Sequence, residues 1–311
     1  MLSMVKQFFS VILSLLLFLY AGLGRSGFDR DALKPMDGVT VETVTIASEG
    51  RKLDALLISP DPRPENATGV LWIHGGGYLT GMKEMAFMGR AYELAKTYGA
   101  VVLAPDYTLS VFSPYPAAQQ DCYHSLLWLR DNAESVGVND SQLMVGGESA
   151  GGGLCASVCM MARDSGEVNV AFQMPLYPML DNRDTPSSEK NFSPVWNTPL
   201  NHLAWRLYLR GIPEEELTPY AVPALQTDYA GLPPAYTFVG DGEPFYCETL
   251  RYIENLQNAG VEAKADVYHY NVHAVDMLEP MNEVGRMAAE NFYANFARAQ
   301  QTFFAAQPDG V

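Results

Sequence analysis

The chain has 311 residues, 48% of them hydrophobic and 18% charged, with 36 acidic against 20 basic side chains and a formal net charge of −16. That length and apolar content exclude a disordered chain and point to a globular enzyme: one domain with an insertion, or a domain with a small cap. The acidic excess weighs against nucleic acid and anionic membrane surfaces as partners.

The first 24 residues stand apart. Lys6 is followed by a nearly unbroken apolar run over 8–23, and then by Arg25. A basic start, an apolar run and the small residues Ala21, Gly22 and Gly24 have the form of a secretory signal cut after Gly24. An uncleaved N-terminal anchor is the alternative, although the run is slightly short for a transmembrane helix. Residues 1–24 are therefore expected to be a signal peptide or anchor. The protein would then be secreted or membrane-anchored, and cytoplasmic only if the segment is no signal. Residues 25–311 would form the folded domain.

Residues 39–46 and 53–59 alternate or run apolar and read as two opening strands joined by a Ser-Glu-Gly turn. Residues 69–73 read as a buried strand, 84–98 as a helix, 100–104 as another buried strand and 116–132 as a helix. Leu143-Met144-Val145-Gly146 has the composition of a buried strand, and the small apolar residues of 150–163 fit a helix packed under a sheet. Further strands are expected over 168–174, 235–239 and 263–270, with helices over 246–259 and 274–305. Strands alternating with helices predict a mostly parallel sheet covered on both faces. Residues 181–220 break the rhythm with Pro, Asn, Ser and the aromatics Phe192, Trp196, Trp205 and Tyr208. They read as a helical insertion over the site.

Two glycine-rich motifs carry the chemistry. Gly147-Glu148-Ser149-Ala150-Gly151 has the G-x-S-x-G spacing that holds a serine on a sharp strand-to-helix turn, with φ above zero expected at Ser149. Upstream, His74-Gly75-Gly76-Gly77 is a run of backbone N–H groups with no side chains to block an approaching oxyanion. Both follow predicted strands, at the sheet edge where such folds bind ligands. A glycine-rich phosphate loop is the bland alternative, and Glu148 with no following Lys argues against it.

With these motifs the chain resembles the hormone-sensitive-lipase-like branch of the α/β-hydrolase superfamily. The resemblance runs from about residue 39 to 277. It is carried by His74-Gly75-Gly76-Gly77-Tyr78, Pro105-Asp106-Tyr107 with Tyr115-Pro116-Ala117-Ala118, Gly147-Glu148-Ser149-Ala150-Gly151-Gly152, and Leu232-Pro233-Pro234-Ala235. It implies an α/β-hydrolase fold with a mostly parallel eight-stranded sheet flanked by helices. It also implies a helical cap from about 25–38 and 181–220, and carboxylester hydrolysis with neither metal nor cofactor.

The chain order of the superfamily is serine, acid, histidine. Of five histidines, only His269 and His273 follow a plausible acid. His273 is expected in the loop after the last strand, where a base belongs, and His269 inside that strand, half-buried. His74 is expected to brace the glycine loop. The resemblance puts the acid at the start of an Asp-Pro-Leu-like segment. Aligning Gly240-Asp241-Gly242-Glu243-Pro244-Phe245 on Pro244 gives Glu243, with Asp241 as the fallback. Glu248 matches a later acidic position. The expected oxyanion donors are the N–H groups of Ala150 and of Gly76 with Gly75 or Gly77. His273 is followed by Ala274-Val275 where the family has Gly-Phe. Glu148 stands where it commonly has Asp.

The four cysteines show no disulfide framework and no zinc spacing. Cys155 and Cys159 share one helix face beneath the nucleophile turn and read as packed core thiols, in tension with export. Cys122 and Cys247 fall in predicted helices. The expected partner is a small-molecule ester, and a homodimer is permitted. A deacetylase or amidase on the same groups, and a catalytically silent small-molecule-binding homologue, are the competing readings.

Overall fold

The computed structural model describes residues 37–87 and 90–308, so the expected signal or anchor and the cap segment up to residue 36 lie outside the described residues. One eight-stranded sheet runs in the order β1-β2-β4-β3-β5-β6-β7-β8. Its strands are β1 (Val39–Ser48), β2 (Arg51–Pro60), β3 (Ala67–Ile73), β4 (Val101–Pro105), β5 (Val138–Glu148), β6 (Phe172–Leu176), β7 (Ala235–Gly240) and β8 (Ala263–Tyr268). β1 pairs with β2 and β2 with β4 antiparallel, and the other pairings are parallel. Ser48 pairs with Arg51, leaving Glu49 and Gly50 as a two-residue turn with φ of 47° and 74°. Two positive φ angles give the hairpin turn whose twist matches its strands.

The helices are α1 (Arg90–Lys96), α2 (Ala117–Asp131), α3 (Ala133–Val136), α4 (Ala150–Ser165), α5 (Thr198–Tyr208), α6 (Tyr246–Asn258), α7 (Val275–Leu278) and α8 (Glu283–Thr302). Alternation along β3 decides which helix covers which face. Leu71 and Ile73 pack with Leu126 and Leu129 of α2 and Leu154, Cys155 and Val158 of α4. Val70 and Trp72 turn the other way, to Ala91 and Leu94 of α1 and Phe292 and Phe296 of α8. A third cluster joins α6, through Tyr252, Ile253 and Leu256, to Met160 of α4. Each fully buried side chain of this size contributes about 1.5–3 kcal/mol, so the two-sided cover is what holds the central strands in place.

Several expectations need correction. The strand expected over 168–174 is Phe172–Leu176, because parallel pairing begins at Met144 with Phe172. The helix expected over 84–98 is a 3-10 turn at Lys83–Phe87 and the separate α1. The helix expected over 274–305 is split into α7 and α8, with Pro280 in the gap, where it supplies no N–H to a continuing helix. The insertion over 181–220 is mainly irregular, holding α5 and a 3-10 turn at Glu214–Glu216. Asn197 caps α5 by accepting from the Leu200 N–H, and a proline stands in the helix's first turn.

The four cysteines are free thiols, three of them buried. Burial pushes the Cys122 and Cys159 thiols well above their usual range, and Cys155 donates to the Val145 carbonyl at 3.3 Å. These three buried thiols are packing groups of the core. No helix among the described residues is long and apolar enough to cross a membrane.

Backbones approach closely where α4 meets β3. A Cβ on Gly151 would stand 2.2 Å from the Ile73 carbonyl oxygen and 2.5 Å from that of His74. Alanine is the better helix former by about 1 kcal/mol, but two backbone oxygens cannot step aside. Gly151→Ala is expected to destabilise the protein by about 1–3 kcal/mol, seen as a lower urea midpoint. An unchanged or higher midpoint would refute the close packing.

Candidate active site

Ser149 stands between β5 and α4 with φ 56° and ψ −117°, as the pentapeptide predicts. Such backbone costs on the order of 1–3 kcal/mol and persists only where its surroundings fix it. Here the Ser149 N–H donates to Leu176 O at 3.0 Å, and Ser149 O accepts from the N–H groups of Gly153 and Met179, both at 3.0 Å. The strained residue is thus tied to β6, to its own helix and to the loop after β6. Ser149 is buried and sits at the N-terminus of a 16-residue helix, whose dipole favours negative charge there.

The glycine loop leaves β3 and runs against this turn. A Cβ on Gly75 would stand 3.3 Å from Ser149 Cβ, and one on Gly76, whose φ is 116°, would stand 2.2 Å from Thr80 O. His74 braces the loop as expected. Its Nδ1 lies 2.7 Å from Gly75 O, its ring stacks on Tyr107 at 4.2 Å, and Tyr107 Oη donates to His74 O at 3.2 Å. Tyr78 then ties the loop to the insertion, stacking on Tyr208 of α5 at 4.0 Å and donating to Met179 O at 3.1 Å.

Glu243 and His273 lie in the loops after β7 and β8. Glu243 Oε1 accepts the Gly240 N–H at 2.6 Å, and Oε2 pairs with His273 Nδ1. Both side chains are buried, at 3% and 5% exposure. Nδ1 is therefore committed to the carboxylate, while Nε2 is buried with no hydrogen-bond partner among the described residues. Hydrogen bonds of this kind are commonly long before substrate binds. The imidazole packs nearly perpendicular to the rings of Tyr177 and Phe245, with centroids 5.0 and 5.1 Å away. Ala274, next in the chain, has φ 57°, the left-handed conformation that glycine would adopt without strain.

Asp241 is not the partner of His273. It pairs with His269, Oδ2 to Nδ1 at 2.8 Å, and that histidine is fully exposed rather than half-buried in the strand. β8 ends at Tyr268, one residue too early to contain it. The hydrogen bond to the Asp241 carboxylate raises the His269 pKa. This tie between the two loops is therefore present at low pH and is lost as pH rises through the raised value.

The sequence reading missed the partner of Glu148. Arg90 Nη1 donates to Glu148 Oε1 at 2.7 Å, and its Nη2 pairs with Asp276. Burial opposes the Arg90 charge, but Tyr177, Glu148 and Tyr293 outweigh it and raise the pKa. Burial also raises the Glu148 carboxyl, with Arg90 pulling it back. One arginine in an amphipathic stretch gives no signal of this by its spacing. Glu248 also has a definite place, accepting the Leu180 N–H at 2.7 Å and so holding the start of the insertion.

The insertion closes over these groups. A Cβ on Gly77 would stand 2.2 Å from the Trp196 ring, and that ring lies 6.2 Å from Phe245. Asn191 Nδ2 and Ser193 Oγ donate to Gly242 O at 3.1 and 2.8 Å, tying the insertion to the loop after β7. Among the described residues no group of three or more His, Cys, Asp or Glu could hold a metal ion.

Comparison with known proteins fits this geometry. The chain is 29% identical to the carboxylesterase NlhH of Mycobacterium tuberculosis over 211 residues, 64% of each chain, and so spans just under two thirds of that relative. It is 31% identical to the esterase LipI of the same species, covering 68% of this chain and 67% of the other. Among solved structures a bacterial heroin esterase superposes with a TM-score of 0.83 at 30% identity, covering 91% of this chain and 92% of the other. The profile of the alpha/beta hydrolase fold family matches residues 70–277, and the chain belongs to that family, in its hormone-sensitive-lipase-like branch.

Proposed function

We propose that the protein is a serine carboxylesterase acting on small to medium acyl esters through Ser149, His273 and Glu243. The observation that carries this reading is the buried Glu243–His273 pair, with Nε2 left uncommitted. A carboxylate on Nδ1 fixes the tautomer that makes Nε2 the basic nitrogen. Nε2 then takes the Ser149 Oγ proton as Oγ attacks the ester carbonyl. The oxyanion is met by N–H groups of Ala150 and of Gly76 with Gly75 or Gly77. The tetrahedral centre collapses, the Nε2 proton leaves with the alcohol, and an acyl-enzyme remains. Water adds by the same base and releases the acid. Similarity to relatives named as carboxylesterase and esterase supports the ester class. The proposal includes a small-molecule ester as partner and an extracytoplasmic location, on the strength of the basic start and apolar run within residues 1–24.

Hydrolysis of p-nitrophenyl esters from acetate to decanoate tests the reading. Ser149→Ala and His273→Ala are each expected to lower kcat by about 10⁴-fold or more. Glu243→Gln is expected to cost roughly 10²–10⁴-fold, since it disturbs the tautomer. Asp241→Asn, at an exposed site, should stay within about threefold of wild type. A larger loss for Asp241→Asn than for Glu243→Gln would overturn the assignment of the acid, and no hydrolysis by folded wild type would overturn the esterase reading.

Trp196 bears on chain length, because its ring fills the space over Gly77. Trp196→Ala is expected to raise kcat/KM for decanoate relative to acetate by roughly 10-fold, the scale of one or two methylenes in an apolar pocket. An unchanged ratio would remove Trp196 from the pocket wall.

A further inference from the structure

Arg90 lies fully inside the protein and touches every part of the proposed site indirectly. Its guanidinium carbon is 5.8 Å from the Trp72 ring, 5.6 Å from Phe238 and 4.8 Å from Phe292. Trp72 is on β3, which leads into the glycine loop, and Phe238 is on β7, which leads into the acid loop. One arm of the guanidinium holds Glu148, the residue before Ser149, and the other holds Asp276, three residues after His273. Tyr177, which interacts with the same guanidinium, packs nearly perpendicular to the His273 ring at 5.0 Å.

Stability is a poor reason for this arrangement. Desolvating charged groups costs several kcal/mol each, and apolar side chains of similar volume commonly do as well. The guanidinium instead offers geometry. It is a planar fork that can hold two carboxylates at a fixed separation, which a lysine cannot. Asp276 lies in the first turn of α7, a helix of four residues, too short to fix its own orientation.

We infer that Arg90 is a positioning residue: by bridging Glu148 and Asp276 it sets the His273 loop against the Ser149 turn. This rests on the proposed esterase reading. A base displaced by about 1 Å can lose on the order of 100-fold in rate without any loss of substrate affinity.

The test compares wild type with Arg90→Lys and with the triple variant Arg90→Met, Glu148→Gln, Asp276→Asn, which leaves no unpaired buried charge. With p-nitrophenyl acetate, the triple variant is expected to melt cooperatively and to lose roughly 10–100-fold in kcat, with KM within about threefold of wild type. Arg90→Lys, which keeps the charge but not the fork, is expected to lose kcat likewise. A folded triple variant, or Arg90→Lys, with kcat within about threefold of wild type overturns the inference. Should the triple variant fail to fold, Asp276→Asn alone decides, because it frees only one arm. Faster amide hydrogen exchange over residues 270–278 with lowered kcat supports the bridge, and unchanged exchange overturns it. Wild type that hydrolyses no ester counts against the esterase reading alone, and the exchange measurement still decides the bridge.

Discussion

The positive φ at Ser149 is the constraint on which the rest of the arrangement depends. A buried strand delivers the residue, a helix leaves it immediately, and the φ of 56° is held by hydrogen bonds to three neighbouring segments. The turn requires β3 and α4 to approach so closely that Gly151 meets two carbonyl oxygens. The crossing point in turn needs helices on both faces of the sheet, or the central strands would not stay fixed. Core packing and candidate chemistry are therefore one problem here, since the strain at one serine is sustained by contacts spread over the domain.

Charge is used sparingly and locally. A formal charge of −16 lies mostly in solvent, while the acidic groups taken inside beside the candidate site have polar partners. Glu243 meets a backbone N–H and an imidazole, Glu248 meets Leu180, and Glu148 and Asp276 share Arg90. These buried pairs connect loops that separate strands deliver to one edge of the sheet. Exposed pairs such as Asp241–His269 connect the same loops but are screened by water, so their hold is weak.

What the sequence makes legible follows from where the physics is local. The G-x-S-x-G spacing and the glycine run announce their own turns, because positive φ and close approach demand glycine. The alternating and buried strands announce the sheet through their periodicity. The family resemblance, aligned on Pro244, points to Glu243 before Asp241, and Glu243 is the carboxylate that pairs with His273. Contacts between distant segments were not readable. Nothing near Arg90 marks it as the partner of residues 148 and 276, and nothing near His269 shows that its strand ends one residue earlier. The split between α7 and α8 had a local sign in Pro280, but apolar spacing on both sides concealed it.

The contact between Trp196 and Gly77 has an evolutionary consequence. The indole occupies the volume that any side chain at position 77 would need, so the insertion and the glycine loop share one space. While tryptophan stays at 196, position 77 is confined to glycine by crowding as well as by its φ of 62°. A chain that shortens residue 196 lifts the first restriction and keeps the second. Across related chains the two positions should covary, with large residues at 196 found beside glycine at 77 and departures at 77 found only where 196 is small.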